Sequence, residues 1–128
     1  MKMYIFIIPL LMLLGDNSIY HFKGHKENKS FMIRHTVVFK LKYPKDSPEE
    51  KLFINAAMKL ASIPGVQRFE CLRQTSRKNN FDYGLSMEFN TPEAYEEYNK
   101  HPDHVAFVQV FWIKGVEDFL EIDYEPYQ

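Results

Sequence analysis

Hydrophobic and polar residues alternate from Met32 to Lys42, the pattern of a β-strand with one buried face. Because the helices pack on one side of such a sheet, we expect the face with the larger apolar residues to lie beneath them. That face carries Ile33, His35, Val37, Phe39 and Leu41, and the opposite face carries Arg34, Thr36, Val38, Lys40 and Lys42.

A helix is predicted to begin directly after this strand. Ser47 can cap it, Pro48 suits its first position, and Glu50 completes a capping box. The segment Ile63-Pro64-Gly65 then ends it. Its buried face is expected to combine Leu52, Ala56, Leu60 and Ile63 with Phe53 and Ala57.

The remaining pattern predicts strands over 66–75, 81–89 and 117–124, with Gly84 marking a bulge or a close approach. One helix is expected from Thr91-Pro92 to the break at His101-Pro102, because the residue before a proline avoids the α region. Another runs from Asp103 to Gly115, with Val105, Val108 and Trp112 on one stripe and Phe107 and Phe111 beside it. In the last strand, Leu120, Ile122 and Tyr124 face one way, and Glu121 and Asp123 the other.

The predicted order β-α-β-β-α-α-β is an α+β arrangement of the ferredoxin-like, split βαβ type with an antiparallel sheet. We expect a single domain over residues 32–128. A domain of this size gains stability by burying more surface in a dimer.

Residues 1–31 do not share the pattern of the rest. Lys2 precedes Met3–Leu14, which is apolar except at Pro9, and the segment that follows is polar and basic. The apolar run is too short to span a bilayer and has the length of a secretory signal core, but a small-residue cleavage pattern is missing. Residues 1–31 are either a targeting segment or an extension upstream of a true start at Met32, and the second reading is slightly favoured.

Composition narrows the function classes. Hydrophobic residues make up 45% and charged residues 26% of the 128-residue chain, which excludes a disordered chain and a multi-pass membrane protein. A formal net charge of −1 argues against nucleic acid as a partner. The lone Cys71 excludes an internal disulfide and leans toward an intracellular location. We expect a cytoplasmic protein, or an exported one if residues 1–14 act as a signal.

Most of the residues that could take part in catalysis lie in the segment from Tyr98 to His104. His104 lies in the first turn of its helix, where the helix dipole disfavours a cation, so its imidazole is expected to be neutral and available as a general base. Tyr98 can reach back across the proline break, and His35 faces inward on the first strand. These three polar groups are predicted to surround an aromatic cavity.

Each of the three histidines also has a purely structural explanation. His104 can simply satisfy a backbone carbonyl, His101 can cap a helix, and His35 can be a partly buried strand histidine. A metal site built from His101, His104 and either His35 or Asp103 has no recognised zinc spacing, so no metal is expected.

From Met32 onward the chain resembles the stress-responsive A/B barrel (Dabb) family of dimeric α+β barrels. The similarity rests on the first strand, on Ile63-Pro64-Gly65-Val66, on Phe81-Asp82-Tyr83 with Met87-Glu88-Phe89, and on Ile122-Asp123-Tyr124. Its most specific part is Tyr98-x-x-His101-Pro102-x-His104-x-x-Phe107.

This resemblance implies a ferredoxin-like subunit whose sheet pairs with a second copy. A similar plant cyclase closes a linear polyketide by an aldol reaction, and the shared motif carries its catalytic tyrosine and histidine onto Tyr98 and His104. Its strand-one histidine falls on His35. Ala56, Val108 and Tyr83 depart from the cyclase, so the pocket is expected to differ in shape.

Three hypotheses follow. The first is a homodimer that binds a small apolar or aromatic ligand and performs cofactor-independent acid/base chemistry, as a cyclase or an isomerase does. His104 then abstracts a proton, Tyr98 orients a carbonyl and His35 assists. The second is a non-catalytic binding or stress-response protein, and the third a dimer with a filled core. The expected ligand contacts are Val37, Phe39, Phe53, Leu85, His101 and Phe107.

Overall fold

The computed structural model describes residues 31–127 and contains the predicted order of elements. The first half comprises β1 (Ile33–Leu41), α1 (Pro48–Met58) with a 3₁₀ turn (Lys59–Ser62), β2 (Gln67–Arg73) and β3 (Tyr83–Phe89). The second half comprises α2 (Pro92–Lys100), α3 (Pro102–Phe107), a π-helical turn (Val108–Trp112), α4 (Ile113–Gly115) and β4 (Val116–Tyr124).

The four strands form one antiparallel sheet in the order β2-β3-β1-β4, with the helices on one face. This confirms the ferredoxin-like α+β fold. The predicted inward face of β1 is also confirmed, because His35, Val37, Phe39 and Leu41 are all buried. The edge strand β4 lies beside β1, opposite β3.

Helix α1 begins at Pro48 with Ser47 as its cap, as predicted, but the capping box does not form, because the Ser47 backbone N–H donates to the Pro44 carbonyl and not to Glu50. The buried face of the helix is also rotated. The Ser47 hydroxyl accepts a hydrogen bond from the Glu50 backbone N–H at 3.2 Å. The Glu50 carboxylate turns inward, where it accepts from the Asp46 backbone N–H and the Tyr83 hydroxyl. The buried stripe therefore runs through Glu50, Phe53 and Ala57, and Leu52, which we expected in the core, is 64% exposed.

The break between α2 and α3 lies at the predicted residue. His101 leaves the helical conformation, with ψ 135°, and its imidazole accepts a hydrogen bond from the Asp103 backbone N–H at 3.1 Å. Helix α3 then gives way to a π-helical turn, which the sequence did not predict. Val105, expected on the buried stripe, is exposed, whereas Phe107 is buried.

The expectation for Gly84 was wrong. The register of β3 against β1 is continuous through this residue, and an added Cβ meets its nearest neighbour, the Val37 carbonyl oxygen, at 3.7 Å. The irregularities lie elsewhere, between Gln67 and Glu70 of β2 and in the pairing of Lys40 and Leu41 with β4.

The two readings of residues 1–31 concern a segment that, apart from Phe31, lies outside the described residues. Within residues 31–127, no helix is both long enough and apolar enough to cross a bilayer.

Candidate functional site

A cavity of about 200 Å³ lies between the helices and the inner face of the sheet. Its polar groups come from four elements: His35 of β1, Tyr98 of α2, His104 of α3 and Glu121 of β4. The rest of the lining is apolar and consists of Val37, Leu60, Leu85, Met87, Phe107, Val108, Trp112 and Phe119.

His104 presents one defined nitrogen as an acceptor. Its Nδ1 lies 3.1 Å from the Asn99 carbonyl oxygen, and because a carbonyl can only accept, Nδ1 carries the proton. Partial burial is the main cause that lowers the pKa of His104 below its usual 6.5. The ring is therefore neutral near pH 7, with its lone pair on Nε2. Burial thus favours the neutral form of His104.

Tyr98 lies against His104 in the cavity wall. The side chain is only 2% exposed, and the two ring centroids are 4.5 Å apart. Burial, together with the negative charge of Glu121, raises the pKa of the Tyr98 hydroxyl. The hydroxyl thus keeps its proton at neutral pH and can act as a hydrogen-bond donor.

His35 is held by two residues that the sequence reasoning had not assigned to the site, Asp123 and Tyr95. Its Nδ1 lies 2.6 Å from Asp123 Oδ1, so the imidazole donates from Nδ1 to the carboxylate. The Tyr95 hydroxyl donates to Asp123 Oδ2 at 2.8 Å. Burial and this bond to Asp123 raise the pKa of Tyr95. The other nitrogen of His35, Nε2, lies 3.5 Å from Glu121 Oε1.

A signal for the two acids was present in the sequence. Glu121 and Asp123 share one face of a strand whose other face is apolar, but neither acid was assigned to the site. In the structure, Asp123 pairs with His35 and Glu121 with Val37 across β1 and β4. The acidic face of β4 is therefore the face that turns toward the cavity.

The other predicted site residues divide into two groups. Val37, Leu85 and Phe107 line the cavity. Phe39 and Phe53 do not: they are almost fully buried and pack on each other with ring centroids 5.5 Å apart. His101 caps α3 and is not part of the lining.

Of the three departures from the related cyclase, only Val108 lines this cavity, whereas Ala56 and Tyr83 lie outside it. Among residues 31–127 no group of three or more His, Cys, Asp and Glu side chains is arranged to hold a metal ion.

Comparison with known proteins places this chain in a family. Residues 33–126 match the family described as the stress responsive A/B barrel domain. A solved Dabb family protein with a ferredoxin-like fold from Mesorhizobium loti is 55% identical, with a TM-score of 0.72, over 76% of this chain and 98% of that one. A dimeric protein of unknown function from Bacteroides fragilis, also ferredoxin-like, is 26% identical with a TM-score of 0.56, over 73% of this chain and 95% of that one.

A curated relative points the same way. A stress-response A/B barrel domain-containing protein of Arabidopsis thaliana is 29% identical over 98 residues, which are 75% of this chain and 37% of that protein. The chain thus spans little more than a third of the length of this relative. Since the family match extends over most of the chain, from β1 to the residues just after β4, the protein belongs to the stress-responsive A/B barrel domain family.

Proposed function

We propose that this protein is a homodimer whose cavity binds a small carbonyl or phenolic compound and catalyses a proton transfer without a cofactor. One observation carries the proposal: a neutral imidazole, His104, lies against a buried, protonated tyrosine, Tyr98, in an otherwise mainly apolar cavity. A base and a hydrogen-bond donor placed side by side are the two groups that enolisation of a ketone requires.

In the proposed step, His104 Nε2 removes a proton from the carbon next to the carbonyl. The C–H bond breaks, its electron pair moves into the enolate, and the proton stays on Nε2. The Tyr98 hydroxyl donates a hydrogen bond to the carbonyl oxygen, where negative charge develops. Return of the proton to a different position gives isomerisation, and attack of the enolate on a second carbonyl of the same ligand gives cyclisation. His35 assists from β1.

The cavity volume limits the ligand. A cavity of roughly 150 Å³ lined by apolar side chains holds one benzene molecule, so about 200 Å³ suits one ring or a short branched chain. The lining supports the same conclusion, because Phe107, Trp112 and Phe119 offer aromatic surfaces on which a ring can pack.

The dimer is proposed from the opposite face of the sheet. Leu72, Leu120, Ile122 and Tyr124 are exposed there, and a shallow depression between Val38, Leu72 and Tyr124 follows the same face. Exposed apolar residues grouped on one face are typical of a protein interface. The Bacteroides fragilis relative is dimeric, which supports a second copy of this chain as the occupant.

Exchange of ketone protons for deuterium tests the chemistry. The full chain is incubated with cyclohexanone in heavy water, and NMR follows the loss of the protons next to the carbonyl. We expect the wild type to accelerate exchange and His104→Gln to reduce the acceleration by about 100-fold, the usual contribution of a positioned base. Tyr98→Phe is expected to slow exchange as well. Exchange should also weaken as the pH falls through the lowered pKa of His104, because the protonated ring is no longer a base.

His101→Asn is the matched control. It removes a neighbouring imidazole, and asparagine preserves the cap on α3, so exchange should persist. Equal acceleration by the wild type and His104→Gln contradicts the mechanism. Binding of the ketone without any acceleration by the wild type favours a non-catalytic binding protein instead.

A further inference from the structure

Glu121 gives the cavity an electrostatic character that its apolar lining does not suggest. It is the only acidic residue among the lining residues that the structure describes, and its side chain is 54% exposed, so it lies where the cavity meets solvent. Its charge also acts on groups further inside, because it raises the pKa of Tyr98 and opposes the lowering at His104.

When His35 is neutral, its Nε2 atom and the carboxylate of Glu121 are two hydrogen-bond acceptors that face each other. Asp123 accepts a hydrogen bond from Nδ1–H of His35, so a neutral His35 presents the lone pair of Nε2 toward Glu121 Oε1, 3.5 Å away. Two acceptors that face one another need a donor, and because Glu121 is half exposed this donor is a proton on Nε2, a water molecule, or a hydroxyl or N–H group of a ligand that displaces the water.

The net charge of this group is negative in both cases. A neutral His35 with the carboxylates of Glu121 and Asp123 carries −2, and a protonated His35 with the same two carboxylates carries −1. The neutral His104 adds no positive charge. A ligand carboxylate in this part of the cavity therefore meets like charge, whereas a ligand hydroxyl finds acceptors.

We infer that Glu121 is a specificity-determining residue: it selects neutral ligands that carry a hydrogen-bond donor at the mouth of the cavity and excludes carboxylates of the same shape. This inference rests on the proposed function, because it assumes that the cavity binds a small carbonyl compound. It narrows the substrate class to neutral hydroxy-carbonyl compounds rather than keto acids.

A matched pair of ketones tests the selection. The neutral 4-(hydroxymethyl)cyclohexanone and the anionic 4-oxocyclohexanecarboxylate share the ring and the ketone and differ only in the group that would face Glu121. Trp112, the only tryptophan of the chain, lines the cavity, so its fluorescence reports binding of either ketone to the full chain. At neutral pH we expect the neutral ketone to bind the wild type about tenfold more tightly, since the charges are partly screened by solvent.

Glu121→Gln keeps the shape of the side chain and removes its charge. It should therefore raise the affinity for the carboxylate and reduce the preference for the neutral ketone by about threefold or more. The control is Glu117→Gln, which changes the charge of the same strand at a residue paired with Lys40 and outside the cavity lining. It should leave the preference unchanged.

Equal affinity of the wild type for the two ketones overturns the inference, and so does an equal effect of Glu117→Gln and Glu121→Gln. In either case, loss of exchange in His104→Gln still supports the proposed function. If neither ketone binds the wild type, both the inference and the proposed function fail.

Discussion

Burial favours the neutral form of both His104 and Glu88, and only at Glu88 do the hydrogen-bond partners outweigh it. At His104, burial lowers the pKa, and the only hydrogen bond found for the ring in the described structure is the one from Nδ1 to the Asn99 carbonyl. At Glu88, hydrogen bonds from Arg34 and Arg68 outweigh burial and hold the pKa of the carboxyl below its usual 4.5. Burial thus leaves His104 neutral near pH 7, whereas Glu88 remains an ionised carboxylate.

We expect Glu88 to make the stability of the folded state depend on pH in the acidic range. Because its pKa is lower in the folded state than in the unfolded state, the stabilisation is complete above about pH 4.5 and is lost as the pH falls through the folded pKa. Glu88→Gln should lower Tm at neutral pH by roughly a few degrees and weaken this acid dependence. Thermal unfolding followed by circular dichroism between neutral pH and pH about 3 measures both effects.

Glu70→Gln is the control for this change, because Glu70 is exposed on the adjacent strand β2. It should leave Tm nearly unchanged. An identical acid dependence in the wild type and Glu88→Gln would show that the Arg34–Glu88–Arg68 group does not stabilise the fold.

At the scale of single elements, local signals predicted where helices begin and non-local contacts decided which face they bury. Ser47 and Thr91 accept hydrogen bonds from backbone N–H groups three residues ahead, as their sequence positions indicated. The inward turn of Glu50 depends on Tyr83, 33 residues away, and no helical period in α1 contains that information.

In the candidate site, too, local sequence signals predicted some residues, and non-local contacts brought in the others. Tyr98 and His104 could be predicted because they flank one proline break within a short segment. Asp123 and Glu121 enter the site through the pairing of β1 with β4, and their neighbours His35 and Val37 lie far away in the sequence. The π-helical turn that ends at Trp112 could not be predicted either, because apolar periodicity does not distinguish it from an α-helix.

At the scale of the whole molecule, the two faces of the sheet have different structural roles. The inner face builds the core and the cavity, with His35 and Val37 beneath the helices. The outer face leaves Leu120 and Ile122 exposed on β4, beside Thr36 and Val38 of β1. In the proposed dimer a second copy covers this outer face, so the cavity and the interface occupy opposite sides of one sheet.

The proposed interface can be tested with two leucines of similar exposure. Leu120 is 50% exposed on the outer sheet face, and Leu52 is 64% exposed on α1. We expect Leu120→Lys to shift the protein from dimer to monomer, because it places a charge in the interface, and Leu52→Lys to leave the dimer intact. Light scattering coupled to size-exclusion chromatography measures both masses. A monomeric wild type, or a dimer lost equally in both variants, would refute this interface.

NMR of the histidine ring nitrogens shows directly whether His104 presents an unprotonated Nε2 to the cavity at neutral pH. His104→Gln assigns the signals by removing them. We expect a neutral ring with a pKa below 6.5, because burial disfavours the cation, and a proton on Nδ1, because Nδ1 donates to the Asn99 carbonyl. A ring that is protonated on both nitrogens at pH about 7, or one that carries its single proton on Nε2, would contradict the proposed role of His104 as a base, because Nε2 then has no lone pair to accept a proton from a ligand.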